Sequence, residues 1–210
     1  MNRRSVAVAA SVLTLAACHP RAPVPLTTEG AWGAARDGAT RRFVLYDGLR
    51  HRATATATHL SASVREARAE RLAKWYGWTP TELADRIAKE RAEAAAGEEF
   101  IVSFYAADPK ANDLDAPRSV WRVAVKAGEA DVIASRVTSI DSDATVVGLF
   151  PYVGPFDVVY RVLLPRAPAG PLAGGPFALE ISGATGTLRL DWTETPKTPF
   201  AAPWQPVPAP

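Results

Sequence analysis

Length, charge and cysteine content exclude several classes of protein. The chain has 210 residues, 24 Lys and Arg against 22 Asp and Glu, and a single cysteine. This length fits one domain with a core of its own. One cysteine excludes an intrachain disulfide, and the nearly balanced charge lacks the basic excess typical of nucleic-acid-binding proteins. No apolar run is long enough to span a bilayer as a helix.

The first 18 residues have the three parts of a secretory signal. Residues 1–4 carry two arginines, residues 5–15 form a short apolar run, and small residues precede a cysteine in Leu15-Ala16-Ala17-Cys18. This stretch resembles the signal peptide and lipobox of bacterial lipoproteins. The resemblance covers the signal peptide, residues 1–17, and Cys18, and no part of the mature domain.

The resemblance implies cleavage before Cys18, a diacylglycerol on its sulfur and an acylated amine, so that the membrane itself becomes a partner of the protein. Each buried acyl CH₂ contributes about 0.8 kcal/mol to such an anchor. His19 replaces the Asp that marks inner-membrane retention in lipoproteins of this kind. An outer-membrane location, at the periplasmic face or cell surface, is therefore favoured. The alternative is an ordinary secretory signal, but a lone thiol is a liability in an oxidising compartment.

The segments on either side of the domain are rich in proline and glycine. Residues 18–40 show no apolar period and predict a tether that lifts the domain off the bilayer. Trp32 does not suit a spacer and either docks on the domain or enters the lipid interface. Residues 193–210 contain six prolines and predict a disordered or polyproline tail.

Between these segments, residues 41–192 predict a domain that begins with two strands. Arg42–Asp47 is the first, and Asp47-Gly48 is a turn signal. In the second, Arg52–His59, alanine alternates with threonine, which gives the period of two that is typical of a strand. The small alanine face leaves room for bulkier structure, and we expect helices to cover it.

Two helix starts follow, at about residues 61–96. The first is a Ser63–Glu66 capping box in a helix that ends at Gly77. The second has Thr79 at the N-cap and Pro80 at the first helical position. In this second helix we expect an apolar stripe to face the domain. The opposite, polar side carries charged residues that include Arg86, Lys89, Glu90 and Glu93.

From Glu99 the chain predicts strand after strand. The segments with the apolar pattern of strands are Phe100–Ala106, Val120–Lys126, Val132–Ile140, Thr145–Phe150 and Val158–Leu164, then a hairpin over Phe177–Trp192. Short strands separated by turn signals indicate a mainly β (α+β) protein. The predicted fold is an antiparallel β-sandwich with a two-helix insertion after the second strand.

No pattern of residues predicts a catalytic site, cofactor or metal. The only cysteine is assigned to lipid, and no Gly-x-Ser-x-Gly elbow is present. His51 and His59 lie about 26 Å apart along one strand, too far to share a metal ion. Asp141 and Asp143 fit a turn. One loop gathers acidic and amide side chains that could approach Ca²⁺, but without EF-hand spacing; they are Asp108, Asn112, Asp113 and Asp115.

The least generic segment is residues 150–157, in which three aromatic residues stand among two prolines. Phe150, Tyr152 and Phe156 either plug the end of the sandwich in a packed arch or form a recognition loop. Rigid aromatic side chains offer contact area at low entropic cost. Their burial or exposure separates the two interpretations.

These observations favour a membrane-anchored envelope lipoprotein whose domain is non-catalytic and binds a protein or glycan partner, or serves as a structural accessory. Two alternatives stay open. One is an envelope hydrolase or carbohydrate-active enzyme with a pair of facing carboxylates. The other is a chaperone-like carrier of lipid or lipoprotein, with the helices lidding an apolar cavity on the alanine face.

Overall fold

A computed structural model describes residues 30–168, 170 and 172–193. The signal peptide, Cys18 and the tail beyond residue 193 lie outside the described residues. The helices are α1 Gly30–Ala39, α2 Ala62–Tyr76, α3 Pro80–Ala96 and α4 Ala144–Leu149. The strands are β1 Thr40–Asp47, β2 Arg50–His59, β3 Gly97–Ala106, β4 Trp121–Ala127, β5 Ala130–Ile133, β6 Arg136–Ile140, β7 Val158–Pro165, β8 Ala178–Gly183 and β9 Gly186–Asp191.

The strands form two antiparallel sheets. The first has the order β1-β2-β3-β7-β6, and the second has the order β5-β4-β8-β9. Their facing sides enclose the main hydrophobic core, in which Phe100 and Phe104 of β3 meet Leu188 and Leu190 of β9. The helices α2 and α3 are inserted between β2 and β3. The predicted mainly β sandwich with a two-helix insertion after the second strand is confirmed.

The alanine face of β2 lies inside the sandwich. Ala53, Ala55 and Ala57 are fully buried in the core between the two sheets. Their small side chains accommodate the bulky aromatic and aliphatic residues of the core, because packing there must reach the density of an organic crystal. The prediction that helices cover this face is wrong. The alanine face is filled by the core, so no apolar cavity of a lipid carrier lies against it within the described part of the chain.

The helices cover the opposite face of the five-stranded sheet, where a second, smaller core forms. Residues from α1, α2, α4 and the outer sides of β3 and β7 meet there, among them Trp32, Val64, Ile101, Leu149 and Val159. The molecule therefore has three layers: helices, a five-stranded sheet and a four-stranded sheet. Among the described residues, no helix combines the length and the apolar character needed to cross a bilayer.

The predicted tether is wrong for residues 30–40, because residues 30–39 form α1 and Thr40 begins β1. Trp32 is 2% exposed, and its indole Nε1 donates to the Leu149 carbonyl at 3.3 Å. The Thr40 hydroxyl, at the start of β1, donates to the Arg36 carbonyl of α1 and lies 2.7 Å from the Thr58 hydroxyl of β2. Burial of one large aromatic side chain outweighs the weak helix propensity of the glycines in this segment. Trp32 thus docks on the domain.

Of the two helix starts expected in the hairpin, the structure confirms the second and moves the first. The Thr79 side chain accepts from the Glu82 amide and the Glu82 carboxylate accepts from the Thr79 amide, so the predicted capping box of α3 is confirmed. The first helix instead begins at Ala62, after Ser61, and the predicted Ser63 capping box is wrong. Gly77 ends α2 with a φ of 66°, a conformation that glycine adopts without strain.

Two predicted strands have different structures. Residues 132–140 are split into β5 and β6, which belong to different sheets. The split falls between Ala134, whose amide donates to Val123 of β4 at 3.0 Å, and Ser135, whose amide donates to Leu163 of β7 at 2.8 Å. The predicted strand over 145–150 is helix α4 instead. Asp143 caps its start by accepting from the Val146 amide at 2.8 Å.

The packing of the alanine face can be tested by enlarging one side chain. Replacing Ala55→Leu adds three carbons to a fully buried site between the sheets. We expect the free energy of unfolding to fall by about 1–3 kcal/mol, as overpacked cores do, measured by urea denaturation. Ala84→Leu, at an exposed position of α3, is the matched control. It should change the free energy of unfolding by less than about 0.5 kcal/mol. Equal effects at both positions would contradict this packing.

Candidate binding cleft

A cleft of about 420 Å³ lies between the helical hairpin and the outer face of the five-stranded sheet. It is open to solvent and is bordered by α2, α3, α4 and the strands β3, β6 and β7. Small-molecule sites commonly measure roughly 300–1,000 Å³. The cleft is therefore large enough to hold a small molecule or one bulky side chain of a partner.

The walls of the cleft differ in chemistry. The apolar residues come mainly from the sheet and α4, and they are Leu72, Ile101, Ile140, Val146, Leu149 and Phe150. The charged residues come from the hairpin and from β3 and β7, and they are Arg68, Arg86, Lys89, Glu93, Glu99 and Arg161. The cleft thus combines an apolar surface with a strongly charged one, as sites for amphipathic groups do.

Arg65 of α2 joins the hairpin to the sheet beside this cleft. Its side chain is 2% exposed, and its Nη1 donates to Glu90 of α3 at 3.0 Å and to Glu93 at 3.2 Å. Its Nη2 donates to Glu99 of β3, and its Nε donates to the Leu60 carbonyl at 2.9 Å. One buried guanidinium group therefore connects α2, α3 and β3. A buried charge is tolerated only when it is paired in this way.

Glu90 is the most deeply buried residue of α3, at 1% exposure. It accepts hydrogen bonds from Arg65, from Arg68 at 2.9 Å and from Arg86 at 3.0 Å. Burial works to raise the pKa of the Glu90 carboxyl, but the guanidinium groups of Arg68, Arg65 and Arg86 outweigh burial and hold that pKa below its usual value. The predicted orientation of α3 is wrong at this position, because Glu90 belongs to its inner side.

Positive charge exceeds negative charge around the cleft. Among the described residues, the charged groups that line it or bond to its lining are five cations, Arg65, Arg68, Arg86, Lys89 and Arg161, and three carboxylates, Glu90, Glu93 and Glu99. These eight groups carry a formal surplus of two positive charges. An anion is the ligand charge that this surplus favours.

Two cations of the cleft, Arg68 and Lys89, lack hydrogen-bond or ion-pair partners for some of their donor groups among the described residues. The buried Nε of Arg68 has no acceptor within the part of the chain that the structure describes, and burial lowers the pKa of this guanidinium. Lys89 is exposed and forms no ion pair with any described residue. An unpaired buried donor costs free energy, so additional negative charge nearby would stabilise Arg68.

Contacts at both ends hold the hairpin over the cleft. At its tip, the hydroxyl groups of Tyr76 and Thr145 are 2.8 Å apart. A Cβ on Gly148 would lie 3.0 Å from the Trp75 ring, so glycine permits this close approach of α2 to α4. At the other end, Arg166 donates to the last carbonyl groups of α3. Both ends of the hairpin are therefore joined to the rest of the domain.

The structure separates the three predicted recognition residues. Phe150 is 3% exposed and lines the cleft. Tyr152 is buried with its hydroxyl 2.7 Å from the Thr58 hydroxyl, and burial raises its pKa. Phe156 is 80% exposed beside a different cavity, next to Tyr105. The three side chains form no common surface, so the recognition loop as a unit is wrong. Phe150 and Tyr152 fill the smaller core.

The acidic and histidine side chains considered for chemistry are held by local hydrogen bonds. Asp108 accepts from the Lys110 amide, Asp113 from the Ser119 hydroxyl and Asp115 from the Ser139 amide. His51 stacks on the Tyr105 ring at 5.4 Å and bonds to Thr54, and the buried His59 lies 2.9 Å from Glu98. Within the described ranges, no group of three or more His, Cys, Asp or Glu could hold a metal ion.

Sequence reasoning missed the cleft because its charged residues resemble an ordinary solvated helix face. The available signal was the repeat of Arg65 and Arg68 on one helix and of Glu90 and Glu93 on the next, each three residues apart. Three-residue spacing places such pairs on one side of a helix. Complementary charge on two helices joined by a short turn could have suggested that these sides face each other.

The chain matches no protein-family model, no curated protein and no solved structure.

The role of the buried ion network can be tested at Glu90. Glu90→Gln removes the one carboxylate that bonds to Arg65, Arg68 and Arg86, and it leaves buried positive charge without compensation. We expect the free energy of unfolding to fall by about 3 kcal/mol, measured by urea denaturation at neutral pH. Glu66→Gln, which breaks the exposed pair with Arg91, should cost less than about 1 kcal/mol.

Acid titration of the same variants gives a second measurement. Because the pKa of Glu90 is lowered on folding, its contribution to stability is complete above the unfolded value of about 4.5. That contribution is lost as the pH falls through the lowered folded value. Wild-type protein should therefore lose stability below about pH 4.5 more steeply than Glu90→Gln. Parallel pH profiles for the two proteins would show that Glu90 is not held ionised by its neighbours.

Proposed function

We propose that this protein is a lipid-anchored envelope lipoprotein whose sandwich domain is a non-catalytic binding module, with the cleft as its binding site. The observation that supports binding is the junction of an apolar surface with surplus positive charge in one open cleft. Its location in the envelope rests on the lipobox-like motif that ends at Cys18. A protein or glycan partner in the envelope stays a prediction.

The bonding of the cleft carboxylates supports a non-catalytic role. Glu99 accepts from Arg65 and from Arg161, whose Nε lies 2.6 Å away, and Glu93 accepts from Arg65. A general acid or base must exchange a proton with the substrate, and carboxylate oxygens already held by guanidinium groups are not free to do so. Glu93 and Glu99 are nevertheless the pair that the hydrolase alternative would require.

The position of α1 is compatible with an anchor at Cys18. Eleven residues, 19–29, separate Cys18 from Gly30, the first residue of α1. A chain of this length can span at most about 40 Å. The domain would then be held within that distance of the leaflet that carries the acyl chains.

The two functional interpretations of the cleft predict opposite results for Glu93→Gln. In a hydrolase, this change removes an acid or base and abolishes the activity. In a binding module it removes one negative charge from a cleft that favours anions, so the protein keeps its cellular role. Val146→Trp, which fills the cleft, should abolish that role. The measurement is the competitive fitness of a deletion strain that expresses each variant.

Asp141→Asn provides the matched control, because Asp141 is exposed and lies outside the cleft lining. It should restore fitness as well as the wild-type protein does. Loss of fitness with a folded, correctly located Glu93→Gln protein would favour the hydrolase. Full fitness with Val146→Trp would exclude the cleft as the binding site.

The anchor itself is tested by Cys18→Ser, which removes the sulfur that accepts diacylglycerol. We expect no incorporation of radioactive palmitate and accumulation of the uncleaved precursor. His19→Ala, one residue further along, should keep the label. Equal incorporation by wild-type protein and Cys18→Ser, or a mature polypeptide with a free thiol by mass spectrometry, would refute lipid anchoring.

A further inference from the structure

The cleft has the composition of a site for a molecule that is both charged and apolar. Leu72, Ile140, Val146 and Leu149 supply apolar surface. Along the same cleft, cationic side chains outnumber the carboxylates by two, and one of them, Lys89, has no partner among the described residues. A purely apolar ligand would leave this positive charge uncompensated, and a small inorganic anion would leave the apolar surface in contact with water.

We infer that the cleft binds a small amphiphilic anion, a molecule with one negatively charged head group and an apolar chain. This inference rests on the proposed binding function and names its ligand class. A volume of about 420 Å³ holds a single small molecule or one side chain, and of these the small molecule is the occupant inferred here. The apolar chain lies against α4 and β6, and the head group lies beside α3.

The surroundings of the head group are set by the hairpin. Lys89 and Arg86 lie on α3, at positions where long side chains reach the rim of the cleft. Deeper in, the Arg68 guanidinium bonds to Glu90 through Nη2 alone, while its Nε has no acceptor among the described residues. A bound anion supplies the negative charge that this cluster lacks.

Isothermal titration calorimetry with sodium decanoate tests the inference. The full-length chain carries Cys18→Ser in every sample, so that no acyl chain of the protein competes for the cleft. We expect decanoate to bind, and decan-1-ol and sodium acetate to bind at least tenfold more weakly, because each of them lacks one half of the recognised chemistry.

Single substitutions then locate the site. Lys89→Glu should raise the Kd for decanoate about three- to tenfold, the range expected for reversing one partly exposed charge. Glu93→Gln should lower the Kd about two- to fivefold by removing a negative charge. Lys74→Glu makes the same charge change on the same hairpin outside the cleft lining, and should leave the Kd unchanged.

Val146→Trp should raise the Kd more than tenfold by occupying the space for the chain. Equal affinity of wild-type protein, Lys89→Glu and Val146→Trp for decanoate would overturn the site. Equal binding of decan-1-ol, or no binding of decanoate, would overturn the ligand class. If Val146→Trp also loses its cellular role while decanoate does not bind, the proposed binding function stands and only the ligand class is wrong.

Discussion

The Arg65 guanidinium group is the contact on which the arrangement of the helices depends. It lies at 2% exposure and bonds to carboxylates from α3 and β3 and to the carbonyl that precedes its own helix. A charge in that position is costly unless every donor has an acceptor. The hairpin, the sheet and the loop before α2 must therefore adopt one relative position. Apolar packing alone tolerates sliding of one surface over another, whereas this bonding does not.

The same network explains why an open cleft exists beneath the hairpin. In α3, Glu90 is the buried residue, while Leu83 and Ile87 are only partly covered. A helix with a broad apolar inner side would settle onto Ile101 and Leu149 and exclude the space between them. Ion pairs instead hold α3 at the distance that guanidinium and carboxylate groups require. The space over the apolar floor of the cleft thus stays open because the contact above it is ionic.

The features that sequence reasoning predicted correctly are those encoded by neighbouring residues. Alternation in Arg52–His59, the Thr79 capping box and Gly77 each express a local rule, and each is found in the structure. The errors depend on contacts between distant residues. Thr145–Phe150 has the β-branched residues of a strand, but Asp143 caps it as a helix whose end buries Leu149 against Trp32. Likewise, nothing local distinguishes the buried Glu90 from an exposed glutamate.

The junction between β5 and β6 ties the two sheets together at one edge of the sandwich. Two consecutive amides there are bonded to different sheets, Ala134 to β4 and Ser135 to β7. The crossing segment therefore links the two layers of strands at this edge, and they cannot part there unless at least one of these bonds breaks. The space between the sheets is thereby closed on this side. The cleft lies instead on the outer face of the five-stranded sheet, under the helices.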